Sequence, residues 1–344
     1  MALATLLRQV PLFGACVCLL AVSCAPGASP VARTGEAVTN PPSQPKVLNI
    51  GVSTELPQLG VLASESTGGW TDLTELHTSS LTTPDTASSK SIGRLAEKVP
   101  SIDDASISLL ADGKMRVVYH LRPNVTWQDG APFSAQDLVF SHRFLLDPGL
   151  PVYQRDTVRL IESVEAPDDL TAVFTFAHPF FRGADLSARD FWPHPRHLLE
   201  IAFNRYRATA NADEMISLPY WTSSYVNLGP FRVTAFDPGE GVTFQAYPGF
   251  FLGRPKVDTI HVRPFRDENA LFANLLAGSI DLFPELALHP ELAAELKGRW
   301  EQSGDGAVRP LAGTSSFLVP QWRPSVITEP ANLDVRVRQA LYHA

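Results

Sequence analysis

Nine histidines, three cysteines and 36 carboxylates are the groups in this 344-residue chain that could do chemistry. Their spacing argues against the common catalytic sets. No Gly-x-Ser-x-Gly elbow presents a nucleophile, and no His-Glu-x-x-His pair offers two imidazoles to a metal. No nucleotide-binding P-loop occurs, and the carboxylates follow no paired motif. The chain is therefore read as a protein without catalytic residues, and no cofactor is expected. Two histidines, His194 and His197 in "FWPHPRHLL", stand at a spacing that could share one helix face and ligate a metal. Ordinary surface histidines fit the same spacing, so no metal site is assigned. Tyr220, Trp221 and Tyr225 lie in "LPYWTSSYVNLGPF", a loop bounded by proline and glycine. Rings with an apolar body and a polar tip suit a binding rim, and equally suit a core.

All three cysteines, Cys16, Cys18 and Cys24, fall in the first 24 residues, so no disulfide or thiolate site can form in the body. The opening "MALATLLRQVPLFGACVCLLAVSC" carries one charge, Arg8, ahead of the apolar run Val10 to Val22. That run is too short for a permanent membrane span and suits the core of a signal peptide, residues 1–24. Its end, "LAVSC", looks like a lipobox, with Ala21 where leucine is usual. Cys24 would supply the thiol that is alkylated and so anchor the chain to a membrane through lipid. A plain secretory cleavage at Ala25 is the alternative. Residues 25–46 are rich in Pro, Ser, Gly and Thr and read as a flexible tether. The body is predicted to lie outside the cytoplasm, on the outer face of the cell membrane or in the periplasm.

The elements that must position these groups mix helices and strands without strict βαβ alternation. "VLNIGV" (47–52) reads as a strand, and "GGWTDLTELHTSSL" as a helix with Leu73, Leu76 and Leu81 on one face. "MRVVYHL" after "ADGK" is hairpin-like, and "RLIESVEAPDDLTAVFTF" reads as two strands about a turn. "SAQDLVFSHRFLLDP" is a well-marked helix. Ser134 is its N-cap, Asp137 sits in capping-box position, and Leu138, Val139, Phe140, Phe144 and Leu145 form the apolar side. "HPRHLLE" starts another helix after proline. Strands follow in "FRVTAFDPGEGVTFQA" and "VDTIHVRPF", and "DENALFANLLAGSIDL" reads as a helix followed by a strand. "NLDVRVRQALYHA" opens an amphipathic helix where the sequence stops. The fold class is α/β with mixed α+β character and mixed sheets. The net charge of −8, with no basic cluster, argues against a nucleic-acid surface.

These blocks in this order resemble the family 5 extracellular solute-binding proteins, the peptide and nickel receptors of ABC importers. "HLRPNVTWQDGAPFSAQDLVFSHRFLLDP" (120–148) is close to that family's signature, with Arg122, Trp127, Asp129, Gly130 and Asp137 as its sharpest residues, all read as structural. "RLAEKVPSI", "NLGPFRV", "GFFLGRPKVDTIHVRPFRDENALFANLLAGSIDL" and "LDVRVRQAL" are similar to further family blocks. The resemblance implies a type II periplasmic-binding-protein-like clamp that closes over its cargo. Lobe I would comprise 47–80 and 200–305, lobe II 81–199, and 306–344 would begin a third lobe that is cut short. A truncated or fragmentary chain is the simplest expectation, a natural two-lobe relative the alternative, and weak or no ligand binding by this polypeptide alone follows. "DLTELH" is similar to the family's early site segment, so Glu75 could pair with a cationic group and His77 could touch ligand. The implied partners are a peptide or small solute, an ABC permease and its ATPase, with the receptor itself a monomer. Nickel or another small solute, or a surface lipoprotein outside transport, are the alternative roles.

Overall fold

Alternation in "VLNIGV" turns Leu48, Ile50 and Val52 to one face of β1 (Val47–Val52) and Asn49 to the other, and the apolar face is sealed, with Ile50 at 1% and Val52 at 0% exposure. The structure is a computed structural model. It describes residues 44–56, 58–60, 62, 70–85, 88, 90–152, 155–284, 287–309, 323, 325 and 330–343. The signal-peptide, lipobox and most of the tether readings, Cys24 included, lie outside the described residues. From Pro45 onward the chain clusters as one unit.

After β1 come α1 (Trp70–His77), the hairpin strands β2 (Thr82–Asp85) and β3 (Lys90–Gly93), then β4 (Ile107–Leu109) and β5 (Met115–His120). The helix α2 (Ala135–Leu146) precedes β6 (Ile161–Asp168) and β7 (Thr171–Phe176). Next are α3 (Arg196–Thr209), the short α4 (Asp213–Ile216), and strands β8 (Phe231–Asp237), β9 (Gly241–Ala246) and β10 (Thr259–Pro264). Helices α5 (Glu268–Leu276), α6 (Pro290–Ser303) and α7 (Val335–His343) complete the order.

Two four-stranded sheets carry the body. One is antiparallel throughout, in the order β4-β5-β7-β6. The other is mixed, in the order β1-β10-β9-β8, with β1 parallel to β10 in the register Val47 to Thr259 and the remaining pairs antiparallel. Helix α2 packs on β6 and β7 of the antiparallel sheet, and its apolar side, Leu138, Phe140, Phe144 and Leu145, is at most 2% exposed and also meets Phe203 of α3. Its start is fixed as the capping pattern implies: the Ser134 N–H donates to the Asp137 carboxylate at 2.9 Å. A second, smaller core forms where α5 and α6 bring Leu271, Leu275 and Leu296 together with Ile280. Gly51 of β1 lies under it, and a side chain there would strike Leu271.

Two expectations change. The helix read across 68–81 ends at His77, because Thr78, Ser79 and Ser80 spend their hydroxyls on distant acceptors rather than continuing the turn. The strand expected after α5 shrinks to a single parallel bridge, Ile50 to Leu282, with the Gly51 N–H donating to the Leu282 carbonyl at 2.9 Å. No described helix is long and apolar enough to cross a membrane.

Candidate functional site

The chain leaves the mixed sheet's side at 77–83 and returns at 225–231, and these two crossings lie against each other. Every residue from His77 to Thr83 is buried, although five of the seven are Ser or Thr. Their hydroxyls are all paired, Thr78 and Ser79 across the seam, Ser80 and Thr82 with residues 185–191, and Thr83 with Glu75. The Thr78 hydroxyl donates to Asn227 Oδ1 at 2.7 Å, the Ser79 hydroxyl to the Leu228 carbonyl at 2.9 Å, and the Ser80 hydroxyl to the Leu186 carbonyl at 2.9 Å. Gly229 donates its N–H to the His77 carbonyl at 3.1 Å, and a Cβ there would collide with the His77 backbone. The turn at 127–130 clamps the return crossing: Gln128 Nε2 donates to the carbonyls of Gly229 and Phe231 at 3.0 and 2.8 Å. Buried polar groups that are all paired fix one arrangement, since any slip strands donors in a dry interior.

His77 lies inside this seam at 6% exposure, its Nδ1 3.1 Å from the Tyr225 hydroxyl and its ring against Trp192, Tyr225 and Phe244. Burial pulls its pKa down to about 4, so the imidazole is neutral at pH 7. Tyr220, Trp221 and Tyr225 join it. Tyr220 donates to the Val226 carbonyl at 3.0 Å, Trp221 Nε1 to the Met215 carbonyl at 2.7 Å, and Asn227 Nδ2 to the Tyr225 hydroxyl at 2.7 Å. All three rings are turned inward, at 6%, 1% and 5% exposure, and burial pushes both phenols up. The loop's polar tips therefore find protein partners rather than an open rim.

Glu75 is elsewhere. Two positions from His77 on one helix, it points to a different side, half-buried, and accepts from the Thr83 hydroxyl at 2.5 Å. Beside it stands a residue the sequence reading treated only as part of a family block, Arg94. Its guanidinium carbon lies 5.5 Å from the Phe250 ring centre, and its Nε is buried without a partner. Desolvation lowers the Arg94 pKa, Glu75 raises it, and Arg122 lowers it further. Nothing in "GRLAEK" signals this, because Phe250 is contributed by a distant loop.

The signature residues take scaffolding contacts. Arg122 Nε donates to the Arg94 carbonyl at 2.7 Å and its Nη2 to the Gly93 carbonyl at 3.3 Å. Trp127 is fully buried against Phe133. Asp129 accepts from the Ala131 N–H at 3.1 Å, and Gly130 adopts φ 92°, a left-handed turn that favours glycine. Asp137 also accepts from the Arg196 N–H at 3.0 Å, tying α2 to the start of α3, and burial raises its pKa against those backbone donors. The two spaced histidines separate. His194 is buried before α3 with Nδ1 2.7 Å from the Trp192 carbonyl, and burial takes its pKa to about 3. His197, on the helix, lies 2.7 Å from Asp129. Among the described residues, no group of three or more His, Cys, Asp or Glu could hold a metal ion.

The polar face of the mixed sheet carries an open groove of about 560 Å³, lined by Asn49, Thr243, His261 and Arg263 and, at the β8–β9 turn, by Asp237 and Glu240. His261 Nδ1 lies 3.1 Å from the Thr243 hydroxyl there.

Known proteins resemble this chain in sequence and in fold. The family model described as bacterial extracellular solute-binding proteins, family 5 Middle, matches residues 91–344. A putative ABC transporter peptide-binding protein of Brucella ovis is 26% identical over 226 residues, which is 63% of this chain and 38% of that relative. The chain thus spans well under half of that relative's length. Among solved structures, the oligopeptide-binding protein of Thermus thermophilus complexed with a pentapeptide aligns with TM-score 0.61 at 20% identity, covering 72% of this chain and 46% of that one. NikZ of Campylobacter jejuni in complex with Ni(L-His) aligns with TM-score 0.55 at 24% identity, covering 69% and 43%. At those identities the structures speak for the fold: a type II periplasmic-binding-protein-like arrangement.

Proposed function

This chain belongs to the bacterial extracellular solute-binding proteins of family 5, and from that premise we propose that it captures a peptide or similar small solute outside the cytoplasm and delivers it to an ABC permease powered by a separate ATPase. The observation that carries the reading is the family match across residues 91–344. The role is capture rather than catalysis. Enclosing a solute needs donors, acceptors and a rigid wall, with no nucleophile, and binding proteins of this kind work by closing around cargo. The name of the Brucella relative, an ABC peptide-binding protein, favours peptides as the class of solute.

Residues 47–80 and 200–305 are assigned to lobe I and 81–199 to lobe II, with 306–344 opening a third. Two features support the assignment: β1 pairs with β10 across the sequence, and the antiparallel sheet lies wholly within 107–176. Residues 1–24 serve as signal peptide, Cys24 bears the lipid, and 25–46 tether a monomeric receptor to the membrane. In the site, Glu75 faces a cationic group of the solute. His77, Tyr220, Trp221 and Tyr225, on a different side of α1, form a stiff buried layer that fixes the helix carrying Glu75. Thermal melts of the purified chain with a panel of di- to pentapeptides test the reading. Because the third lobe is only begun, an upward shift is expected only at peptide concentrations well above micromolar. A shift at micromolar peptide overturns the expectation of weak binding, and a flat response at every concentration, with nickel added as a separate arm, counts against peptide capture by this chain.

A further inference from the structure

Arg94 follows the last residue of β3, and its half-buried side chain lies over the ring of Phe250 within reach of the charge of Glu75. Its Nε is shut away from water and meets no acceptor. Native folds seldom leave a buried donor unpaired, because the hydration lost is not recovered. A second guanidinium sits close by: Arg122 is held there by its bonds to the Arg94 and Gly93 carbonyls. The nearby carboxylate, Glu75, is already engaged by the Thr83 hydroxyl. Two cations against one carboxylate leave a local surplus of one positive charge, in a chain whose net charge is −8. That surplus is drawn partly out of water, where an approaching anion gains most.

We propose that Arg94, backed by Arg122 and Phe250, receives a carboxylate of the captured solute. The planar fork of a guanidinium matches a carboxylate in shape, and the aromatic face beneath it holds the fork flat. A net charge of one suits a singly charged carboxylate better than a doubly charged phosphate. Glu75 bounds the site on the other side and repels a second anion, so the pair selects solutes with one acidic group placed toward β3. This inference rests on the reading of the chain as a solute receptor and adds to it the charge of the solute that Arg94 selects.

The test takes the tightest-binding peptide of the panel above and compares it with its own C-terminal amide by calorimetry, on the full chain. The unmodified protein is expected to bind the free acid about tenfold or more tighter than the amide. R94Q keeps most of the stem against Phe250, and should bring the acid down to the amide's affinity while leaving the amide unchanged. R94K, which keeps charge without the fork, should fall between. Equal affinity of acid and amide for the unmodified protein, a comparison that needs no variant, overturns the proposal and leaves peptide capture standing. So does an undiminished preference for the acid in a folded R94Q. Failure of every peptide to bind removes peptide capture by this chain, and this inference with it.

Discussion

The two four-stranded sheets are of equal size and are assembled in opposite ways. The antiparallel sheet draws all its strands from residues 107–176: β4–β5 and β6–β7 are joined by short turns, and β5 pairs with β7 across the stretch that carries α2, which is itself laid on the sheet. The mixed sheet takes three strands from 231–264 and its fourth, β1, from the other end of the body. Its capture needs anchors separated by 212 and 232 positions: the Lys46 N–H on Asp258 at 2.7 Å and the Asn49 N–H on Asp281 at 2.7 Å. Short-range pairing closes small loops first, so the antiparallel sheet is expected to form early and the mixed sheet to be completed late. The seam of paired, buried hydroxyls and amides is likewise long-range, joining 78–80 to Leu186, Asn227 and Leu228. That order teaches where the molecule is fragile: at β1 and at the seam, rather than in the larger apolar interior.

The largest effect is expected from Gly229→Val. The branched side chain must displace the His77 backbone, so the two crossings are forced apart. A loss of about 3 kcal/mol or more should appear as a lower denaturation midpoint, and an unchanged midpoint would disprove the tight crossing. Acid comes next. His77 and His194 have folded pKa values of about 4 and about 3, below the ordinary 6.5. The unfolded chain therefore binds more protons, and stability is complete above about pH 6.5 and lost as pH falls toward 4 and then 3. His77→Leu should flatten the upper part of that slope, which for one such histidine amounts to about 3 kcal/mol at full development. A pH series of urea melts reads it directly.

Asp281→Ala separates the sheets more finely. It removes the acceptor for the Asn49 N–H and side chain, at a cost of about 1 kcal/mol. Hydrogen exchange should quicken in residues 47–52 and stay unaltered in β5 and β7; uniform quickening would contradict late docking of β1. The smallest effect is reserved for Phe181→Ser at the tip after β7. At 91% exposure the ring should contribute less than about 0.5 kcal/mol, and a marked fall in the midpoint would show that it packs on the antiparallel sheet after all.

Legibility followed the same division. Helix α2 could be read from Ser134, Asp137 and the i, i+3, i+4 spacing of its apolar residues, because caps and amphipathic faces are written within a dozen positions. The hairpin and strand runs in 115–176 were equally local. The reading failed at 78–81, where leucine spacing suggested more helix while the hydroxyls had partners at Leu186, Asn227 and Leu228. It was silent about Arg94, whose surroundings come from α1, from the Phe250 loop and from Arg122. The tyrosine and tryptophan loop could be read either as rim or as core; packing turned the rings inward, since Met215, Val226 and Asn227 offered them partners.

By itself, then, the sequence determined what depends on neighbours within a helical turn or a strand pair: the class of elements, their caps, the absence of catalytic motifs and the family blocks in order. Tertiary structure alone decided which polar groups are dry and which charges meet. Those outcomes hang on desolvation and on partners brought from hundreds of positions away, and neither quantity is carried by any single stretch of chain.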